Sequence, residues 1–304
     1  MASFVATHCA HGKRARRPSG VIKLHASSST KPRFQLRSLD KFFWYTAADG
    51  ITRLATSSDT PGVVPLQTNA YTFAPSQFAH QPYPSTFPLG GIWPPEELRD
   101  LVCAVGNEYA DCVGDECYTD TICADAFCHH TLENWQKATQ GWQDYFELRM
   151  TESRGVGVFT KQAFKEGHVL GWYAGELKTL DDCNEGDYVM EIEIGEIPAF
   201  DEPTEATVFI DGATRGNWTR FINHSCDAYA VFRVRRVGNI RIMGVEAVKD
   251  VPEGVELTVN YGDEYYGLQT KKICCCGAEN CVGKGRRARG ARIKKCRRRN
   301  PPDV

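Results

Sequence analysis

The chain has 304 residues, 42% of them apolar and 24% charged, and a formal net charge of −2 at pH 7. These values are ordinary for a water-soluble protein, and the length allows one full domain with flanking segments or two small domains. No uninterrupted apolar run reaches the roughly eighteen residues of a membrane helix, and residues 1–10 lack the apolar core of a secretory signal. The composition therefore predicts a soluble protein that is not exported and has no membrane partner.

The near-neutral total hides a strong charge asymmetry. Residues 1–100 carry a net charge of +5, residues 101–283 carry −16, and residues 284–304 carry +9. An acidic body attracts cationic partners such as a basic protein tail, whereas the basic end is typical of a nuclear-import signal or a patch that contacts DNA phosphates. Surface charge that only keeps the protein soluble is the alternative interpretation.

Residues 1–95 are predicted to be disordered. Eight prolines lie between positions 61 and 95, and no helical or alternating apolar period persists across the stretch. Residues 1–39 contain eight Lys or Arg and no acidic residue. That composition fits a nuclear-import or nucleic-acid patch and an organelle transit peptide equally, so the sequence leaves both open.

From residue 145 to residue 262 the chain is a series of short β-rich segments bounded by Gly, Pro or acidic turns. The predicted strands are 156–159, 169–173, 188–194, 208–210, 231–237, 240–245 and 257–261. A short helix is expected near residues 132–139. Strands do not alternate with helices, and no glycine-rich fingerprint follows a strand, so a doubly wound nucleotide-binding fold is disfavoured. We expect a compact, mostly antiparallel β domain.

Cysteine usage is the other unusual feature, since eleven of the thirteen cysteines lie between Cys103 and Cys281. In a chain that is not exported, dense cysteines are better explained as metal ligands than as disulfides. One group has spacings of four or five residues, which suit a zinc site, although buried structural thiols would also explain it. Its members are Cys112, Cys117, Cys123 and Cys128, followed by His129 and His130.

A second cysteine group is harder to explain without a metal. Cys274, Cys276 and Cys281 follow a Cys-x-Cys-x4-Cys pattern. The pattern supplies three ligands, whereas a closed structural zinc site takes four. Cys226 is the natural fourth ligand.

Four short motifs stand out in the β-rich region. Each taken alone has a structural explanation, such as a tight turn, a hydrogen-bonded loop pair or a half-buried tyrosine. In chain order they are Arg154-Gly155-Val156-Gly157-Val158-Phe159, Trp172-Tyr173-Ala174-Gly175-Glu176, Arg220-Phe221-Ile222-Asn223-His224-Ser225-Cys226 and Glu256-Leu257-Thr258-Val259-Asn260-Tyr261-Gly262.

In this order, and followed by the second cysteine group, the motifs resemble the SET-domain protein-lysine methyltransferases that carry a post-SET zinc motif. The resemblance covers roughly residues 144–286. It implies a mostly β SET fold of short antiparallel strands with a knot-like core, flanked by Cys-rich zinc segments. The implied units are a disordered region 1–95, a pre-SET segment 100–143, a SET domain 144–262, a post-SET motif 270–286 and a basic tail 287–304.

The pre-SET segment resembles a degenerate AWS region, which accompanies the SET enzymes that methylate lysine 36 of histone H3. Its cysteines are fewer and spaced differently from that pattern, so the number of zinc ions is left open. The tentative ligands there are Cys112, Cys117, Cys123 and Cys128; in the post-SET site they are Cys226, Cys274, Cys276 and Cys281. Both zinc sites would be structural.

The resemblance also assigns roles to individual residues. Tyr261 corresponds to the catalytic tyrosine, and Tyr188 to a second tyrosine that lines the lysine channel. The cofactor is S-adenosylmethionine. Its implied binding residues are Arg154, Gly155, Val156, Gly157, Tyr173, Arg220, Phe221, Asn223, His224 and Tyr261.

The implied activity is methyl transfer from S-adenosylmethionine to a lysine of a histone H3 tail or nucleosome, with lysine 36 favoured over lysine 9, in the nucleus on chromosomes. A methyltransferase of a non-histone protein and an inactive SET module that recruits partners to chromatin are alternatives. A nucleic-acid-binding zinc protein would not explain the acidic body.

Two positions depart from the pattern of the SET family. An aromatic residue usually stands in the family where this chain has Val156. With Val259, the number of methyl groups that the enzyme adds stays undetermined.

Overall fold

The computed structural model describes residues 41–57, 62–84, 87, 91–104, 112–114, 123, 128–179, 181–183, 186–195, 207–266 and 270–284. Their strands are β1 (Trp44–Thr46), β2 (Thr52–Leu54), β3 (Leu66–Gln67), β4 (Phe146–Met150), β5 (Val156–Thr160), β6 (Val169–Tyr173), β7 (Glu176–Lys178), β8 (Val189–Glu193), β9 (Thr207–Asp211), β10 (Arg215–Gly216), β11 (Asn223–His224), β12 (Ala230–Val237), β13 (Ile240–Ala247) and β14 (Glu256–Val259). Their α-helices are α1 (Leu98–Leu101), α2 (Leu132–Ala138) and α3 (Asp263–Tyr266), and 3-10 turns cover Pro75–Phe78, Trp142–Asp144 and Trp218–Phe221. The predicted mostly β fold is confirmed.

A nine-stranded sheet forms the main layer. Its strand order is β2-β1-β4-β5-β14-β12-β13-β6, and β11 also pairs with β14. The β4–β5, β5–β14, β12–β13 and β13–β6 pairs are antiparallel, whereas β11 and β12 both run parallel to β14. Strand β14 therefore joins the two halves of the sheet, and the segment that ends in β11 lies directly against it.

A second sheet has the order β7-β9-β8, with antiparallel pairing throughout. Strands β6 and β13 are buried along their whole length, which explains their predominantly apolar sequences. The two buried charges of β13 have partners: Arg241 donates to backbone carbonyls, and Glu246 pairs with Arg233 and Arg235. The core between the layers contains the fully buried side chains of Trp172, Trp218 and Phe146, and the Phe146 and Trp218 rings stack with centroids 4.3 Å apart. The predicted strands of the β-rich region all appear, with ends that differ by a few residues.

Helix α2 begins where the sequence places it. The Thr131 side chain accepts a hydrogen bond from the backbone N–H of Asn134, which caps the first turn. The helix buries Trp135 against the core. Within the described ranges, every helix is too short or too polar to cross a membrane.

The prediction that residues 1–95 are disordered is wrong for the part of this segment that the structure describes. Strand β1 pairs with β2 and also with β4 of the main sheet, and Phe43, Tyr71 and Phe78 are buried in the core. These strands are two or three residues long, too short to show an apolar period, and they are stabilised by the sheet on which they pack. Residues 1–40 and the basic tail 287–304 lie outside the described residues, and the other unit boundaries stay predictions.

Candidate active site and metal centres

The segments that contain Cys226 and Tyr261 lie side by side. In the parallel β11–β14 pair, Asn223 lies opposite Thr258 and His224 opposite Val259. The backbone N–H of Ser225 continues the ladder with a 2.9 Å hydrogen bond to the carbonyl of Val259. The third and fourth sequence motifs, separated by about thirty residues of hairpin, are thereby brought into one site.

Tyr261 is fixed at both ends by the β11 segment. Its backbone N–H donates to Nδ1 of His224 at 3.0 Å, and its hydroxyl donates to the carbonyl of Ile222 at 2.6 Å. Burial, followed by the nearby Tyr266, raises the pKa of the Tyr261 hydroxyl well above its ordinary value. The hydroxyl therefore stays protonated and remains a donor.

His224 is held as a neutral imidazole. Burial, and then the positive charge of Arg154, lowers its pKa to about 4. Because Nδ1 accepts from Tyr261, the proton sits on Nε2, which lies 3.4 Å from the sulfur of Cys226. The ring thus connects the Tyr261 segment to the cysteine cluster.

A cavity of about 280 Å³ opens where these segments meet. Its walls are formed by residues from several separate segments of the chain. They are Thr56, Ser153, Arg154, Gly155, Val156, Asp187, Tyr188, Arg220, Phe221, Asn223, His224, Tyr261, Tyr265, Tyr266, Ile273, Cys274, Cys275 and Cys276. All the predicted catalytic and cofactor-binding residues line it except Gly157 and Tyr173.

The two glycines of the first motif have different structural roles. Gly155 has a φ of +75°, and an added Cβ would meet nothing within 4 Å, so it leaves open space at the cavity wall. At Gly157 an added Cβ would lie 2.6 Å from Oε1 of Glu256 and 3.0 Å from Nδ2 of Asn223. Gly157 is therefore required by packing behind the wall.

Asn223 and Arg154 are both tied to Glu256. Nδ2 of Asn223 donates to Oε1 of Glu256 at 2.9 Å and to the carbonyl of Val156 at 3.2 Å. Arg154 forms an ion pair with the other carboxylate oxygen of Glu256 and donates to the carbonyl of His224 at 2.9 Å. These bonds connect the first, third and fourth motifs.

Tyr173 lies behind Tyr188. Its buried hydroxyl donates to the carbonyl of Tyr188 at 2.8 Å, and the backbone N–H of Gly212 donates to the same carbonyl at 2.9 Å. Tyr173 thus fixes the backbone of a tyrosine that lines the cavity.

Sequence reasoning missed an aromatic wall formed by Tyr265 and Tyr266. The Tyr265 ring lies 5.0 Å from that of Tyr261, and Tyr266 lies 4.6 Å from the His224 ring. Next to them, Lys272 forms an ion pair with Asp187 and lies 3.7 Å from the centre of the Tyr265 ring. The adjacent tyrosines directly after the fourth motif were the available signal.

The cysteines assigned to the post-SET motif lie close together, and His224 lies beside them. The sulfurs of Cys226 and Cys274 are 3.8 Å apart, and the ligand atoms of His224, Cys226, Cys274 and Cys276 all lie within 4.8 Å of one another. The Cys281 thiol contacts the thiols of Cys274 and Cys276. Burial opposes ionisation of Cys276, but N–H groups of Cys226 and Ala278 and the neighbouring thiols lower its pKa to about 6.

The first cysteine group also converges, with a different membership. Cys112 and Cys123 form a backbone bridge, and the ligand atoms of Cys112, Cys128 and His130 lie within 4.8 Å of one another. The Cys128 thiol also contacts that of Cys123. Cys117 lies outside the described residues, and His130, which the sequence marked only by its position, joins the cluster.

Residues 155–262 match the family model described as the SET domain. This segment belongs to the SET domain family. The chain is 34% identical over 142 residues to mouse "Histone-lysine N-methyltransferase NSD3", a match that covers 45% of this chain and 9% of that protein. The human "Histone-lysine N-methyltransferase, H3 lysine-36 specific" is 33% identical over 138 residues, covering 45% of this chain and 5% of that protein.

A shorter relative is "Probable histone-lysine N-methyltransferase set-23" of Caenorhabditis briggsae. It is 29% identical over 170 residues, covering 55% of this chain and 69% of that protein. The chain spans less than a tenth of the NSD3 relative and of the human lysine-36 relative.

Proposed function

We propose that the chain is an S-adenosylmethionine-dependent protein-lysine N-methyltransferase that acts on a histone H3 tail, with lysine 36 favoured and lysine 9 the runner-up. The observation that carries this proposal is that Tyr188, Phe221 and Tyr261 share one cavity at the β11–β14 pair. The relatives named for histone-lysine methylation, one of them for lysine 36, support the substrate class.

Such a cavity meets the main energetic demand of lysine methylation. A free lysine amine has a pKa of about 10.4, so making it neutral at pH 7 costs about 4–5 kcal/mol. Aromatic walls exclude water and lower that cost, because a charged amine is disfavoured by desolvation. The Tyr261 hydroxyl holds the carbonyl of Ile222 in a fixed direction, and fixed oxygens orient an incoming amine by accepting its hydrogens.

The residues around Gly155 fit the cofactor. Bound S-adenosylmethionine supplies a methyl group on a sulfonium. Open space beside Gly155 admits a ligand close to the backbone, and Arg154, Val156, Asn223 and His224 line the same wall. In this proposal Gly157 and Tyr173 support the cofactor wall from behind, Phe221 faces the cavity, and Arg220 acts as described below.

The donor chemistry of the two cysteine clusters fits structural zinc. Two sulfurs bound to one tetrahedral zinc are about 3.8 Å apart, and the sulfurs of Cys226 and Cys274 are separated by 3.8 Å. We assign Cys226, Cys274, Cys276 and Cys281 to the post-SET site, because the His224 ring already accepts from Tyr261. Cys112, Cys123, Cys128 and His130 would complete a second site.

Charge supports a basic protein substrate on chromatin. The body that contains the cavity, residues 101–283, has a net charge of −16, whereas histone tails are strongly basic. The basic tail 287–304 would contact DNA phosphates or direct nuclear import. In this proposal the protein acts in the nucleus on nucleosomes.

Label transfer to nucleosomes tests the proposal. The purified chain is incubated with methyl-labelled S-adenosylmethionine and recombinant nucleosomes, and mass spectrometry maps the labelled lysine. We expect label on histone H3 that falls by about 100-fold or more in Tyr261→Phe, because an orienting hydroxyl is lost. Tyr83→Phe, at an exposed tyrosine that does not line the cavity, should keep the label. No label on any histone or cell-lysate protein would favour the inactive recruitment module, and equal label in Tyr261→Phe would show that the catalytic tyrosine is misassigned.

A further inference from the structure

We infer that Ser57, outside the SET domain match, is a positioning residue that acts through Arg220 on the cavity tyrosine Tyr188. The inference rests on the proposed methyltransferase function. Ser57 lies 163 residues before Arg220 in the chain, yet its hydroxyl accepts a 3.0 Å hydrogen bond from Nη2 of that arginine.

Ser57 is built into the structure by three hydrogen bonds. Its backbone N–H donates to the carbonyl of Val63 at 2.9 Å, and its buried hydroxyl donates to the carbonyl of Ala213 at 3.0 Å while accepting from Arg220. Since a hydroxyl has one hydrogen and two lone pairs, this arrangement uses the donor and one acceptor position. Removal of the hydroxyl would take one hydrogen bond from the carbonyl of Ala213 and one from Nη2 of Arg220.

Arg220 transmits that position to Tyr188. Its Nε donates to the carbonyl of Gly212 at 2.8 Å, and its guanidinium carbon lies 3.9 Å from the centre of the Tyr188 ring. Gly212 in turn donates its N–H to the carbonyl of Tyr188. The tyrosine is thus held at its ring by the guanidinium and at its backbone by the same turn that holds the arginine.

The cost of keeping Arg220 in place supports a functional role. The residue is 5% exposed, pairs with no carboxylate among the described residues, and leaves Nη1 without a hydrogen-bond partner there. A buried charge with an unused donor destabilises the fold relative to an apolar side chain of similar size. A planar cation stacked on an aromatic ring does what an apolar side chain would not, because it fixes the ring's direction through directed bonds.

The rest of the N-terminal segment holds Ser57 against the domain. The N–H of Ala55 bonds to the carbonyl of Phe43 at 2.9 Å, and the Phe43 ring meets that of Phe221, beside Arg220, at 5.0 Å. Thr56 itself lines the cavity. Residues 41–57 are therefore a structural part of the candidate active site.

Fluorine NMR on the full-length chain tests the connection without requiring activity. Tyrosines are labelled with 3-fluorotyrosine, and the resonance of Tyr188 is assigned by its loss in Tyr188→Phe. Ser57→Ala and Ser57→Cys, which keeps the side-chain volume but hydrogen-bonds weakly, should both shift this resonance. Ser57→Thr, which keeps the hydroxyl, should leave the Tyr188 resonance at its wild-type position. Thr160→Val is the matched control, because it removes a buried hydroxyl bonded to the carbonyl of Pro252 and should leave the resonance unmoved.

Kinetics with labelled S-adenosylmethionine and nucleosomes complete the test. Ser57→Ala should lower kcat about tenfold with the KM for S-adenosylmethionine unchanged, because small displacements of positioned groups cost rate more than binding. Thr160→Val should keep the wild-type kcat. An unmoved Tyr188 resonance in both Ser57→Ala and Ser57→Cys overturns this inference alone, as does a wild-type kcat in Ser57→Ala. A wild-type chain that transfers no methyl group overturns the proposed function instead.

Discussion

Arg154 and Glu256, which are 102 residues apart in the chain, form a partly buried ion pair at the edge of the cavity. The arginine also bonds the carbonyl of His224, and the carboxylate also bonds the side chain of Asn223. One ion pair therefore joins the first sequence motif to the third and the fourth, which are the motifs that surround the cavity.

Removal of the arginine should destabilise the domain. We expect Arg154→Ala to lower the free energy of unfolding by about 1–3 kcal/mol, because the partly buried carboxylate of Glu256 loses its cation. Arg53→Ala breaks an exposed ion pair with Asp49 and is the matched control, with an expected loss of at most about 0.5 kcal/mol. Urea unfolding of both variants measures the difference, and equal losses would contradict the structural role of the Arg154–Glu256 pair.

The two glycines of the first motif should respond differently to alanine. Gly155→Ala introduces a side chain at a φ of +75°, which costs about 1–2 kcal/mol, and narrows the space assigned to the cofactor. Gly157→Ala drives a methyl group into Glu256 and Asn223, which adds an overpacking cost of about 1–3 kcal/mol. Calorimetric titration measures the affinity for S-adenosylmethionine, and thermal unfolding measures stability. Relative to its loss of stability, Gly155→Ala should lose more affinity than Gly157→Ala.

Metal analysis tests the post-SET cluster. Cys276→Ser should remove one zinc per chain, since a tetrahedral site loses one of its four ligands. Cys275→Ser is the control, because Cys275 is exposed and lies between two assigned ligands in the sequence. Mass spectrometry under native conditions counts the bound ions; an unchanged count in Cys276→Ser would show that this cluster is not a zinc site.

Adjacent histidines provide a sharp test of the second cluster. His130 lies with its Nδ1 3.5 Å from the sulfur of Cys112, whereas His129 is exposed. We expect His130→Ala to lower the zinc content by one ion and His129→Ala to leave it unchanged. Equal zinc content in the two variants would show that His130 is not a zinc ligand. Either Cys117 would then be the fourth ligand, or the cluster would bind no zinc.

The rate of methylation should rise with pH, and ionisation of Tyr261 should not make it fall again. The rate should increase with pH towards the ordinary lysine pKa of about 10.4, as more of the substrate amine becomes neutral. Burial raises the pKa of Tyr261 above its ordinary value, so its hydroxyl stays protonated across that range. The rate constant kcat/KM is measured from pH 6 to pH 9.5. A falling limb in this range that disappears in Tyr261→Phe would contradict the assignment.

Much of the fold could be predicted from the sequence because its strands carry local signals. The segments predicted as strands at 169–173 and 240–245 are part of the fully buried strands β6 and β13. The short helix expected near residues 132–139 is helix α2. In contrast, β1 and β2 are three residues each, and β1 pairs with β4, which lies more than ninety residues later in the chain. Local pattern has no access to such partners.

By itself the sequence determined the order and chemistry of the motifs, including the thiol set of Cys226, Cys274, Cys276 and Cys281, because residue type and spacing are local properties. Only the tertiary structure decided which groups share the cavity. It moved Gly157 and Tyr173 behind the wall, brought His130 to the first cysteine cluster, and placed Ser57 under Arg220. The physical reason is that these contacts depend on strand register and packing between distant segments, which come into existence only when the sheet closes.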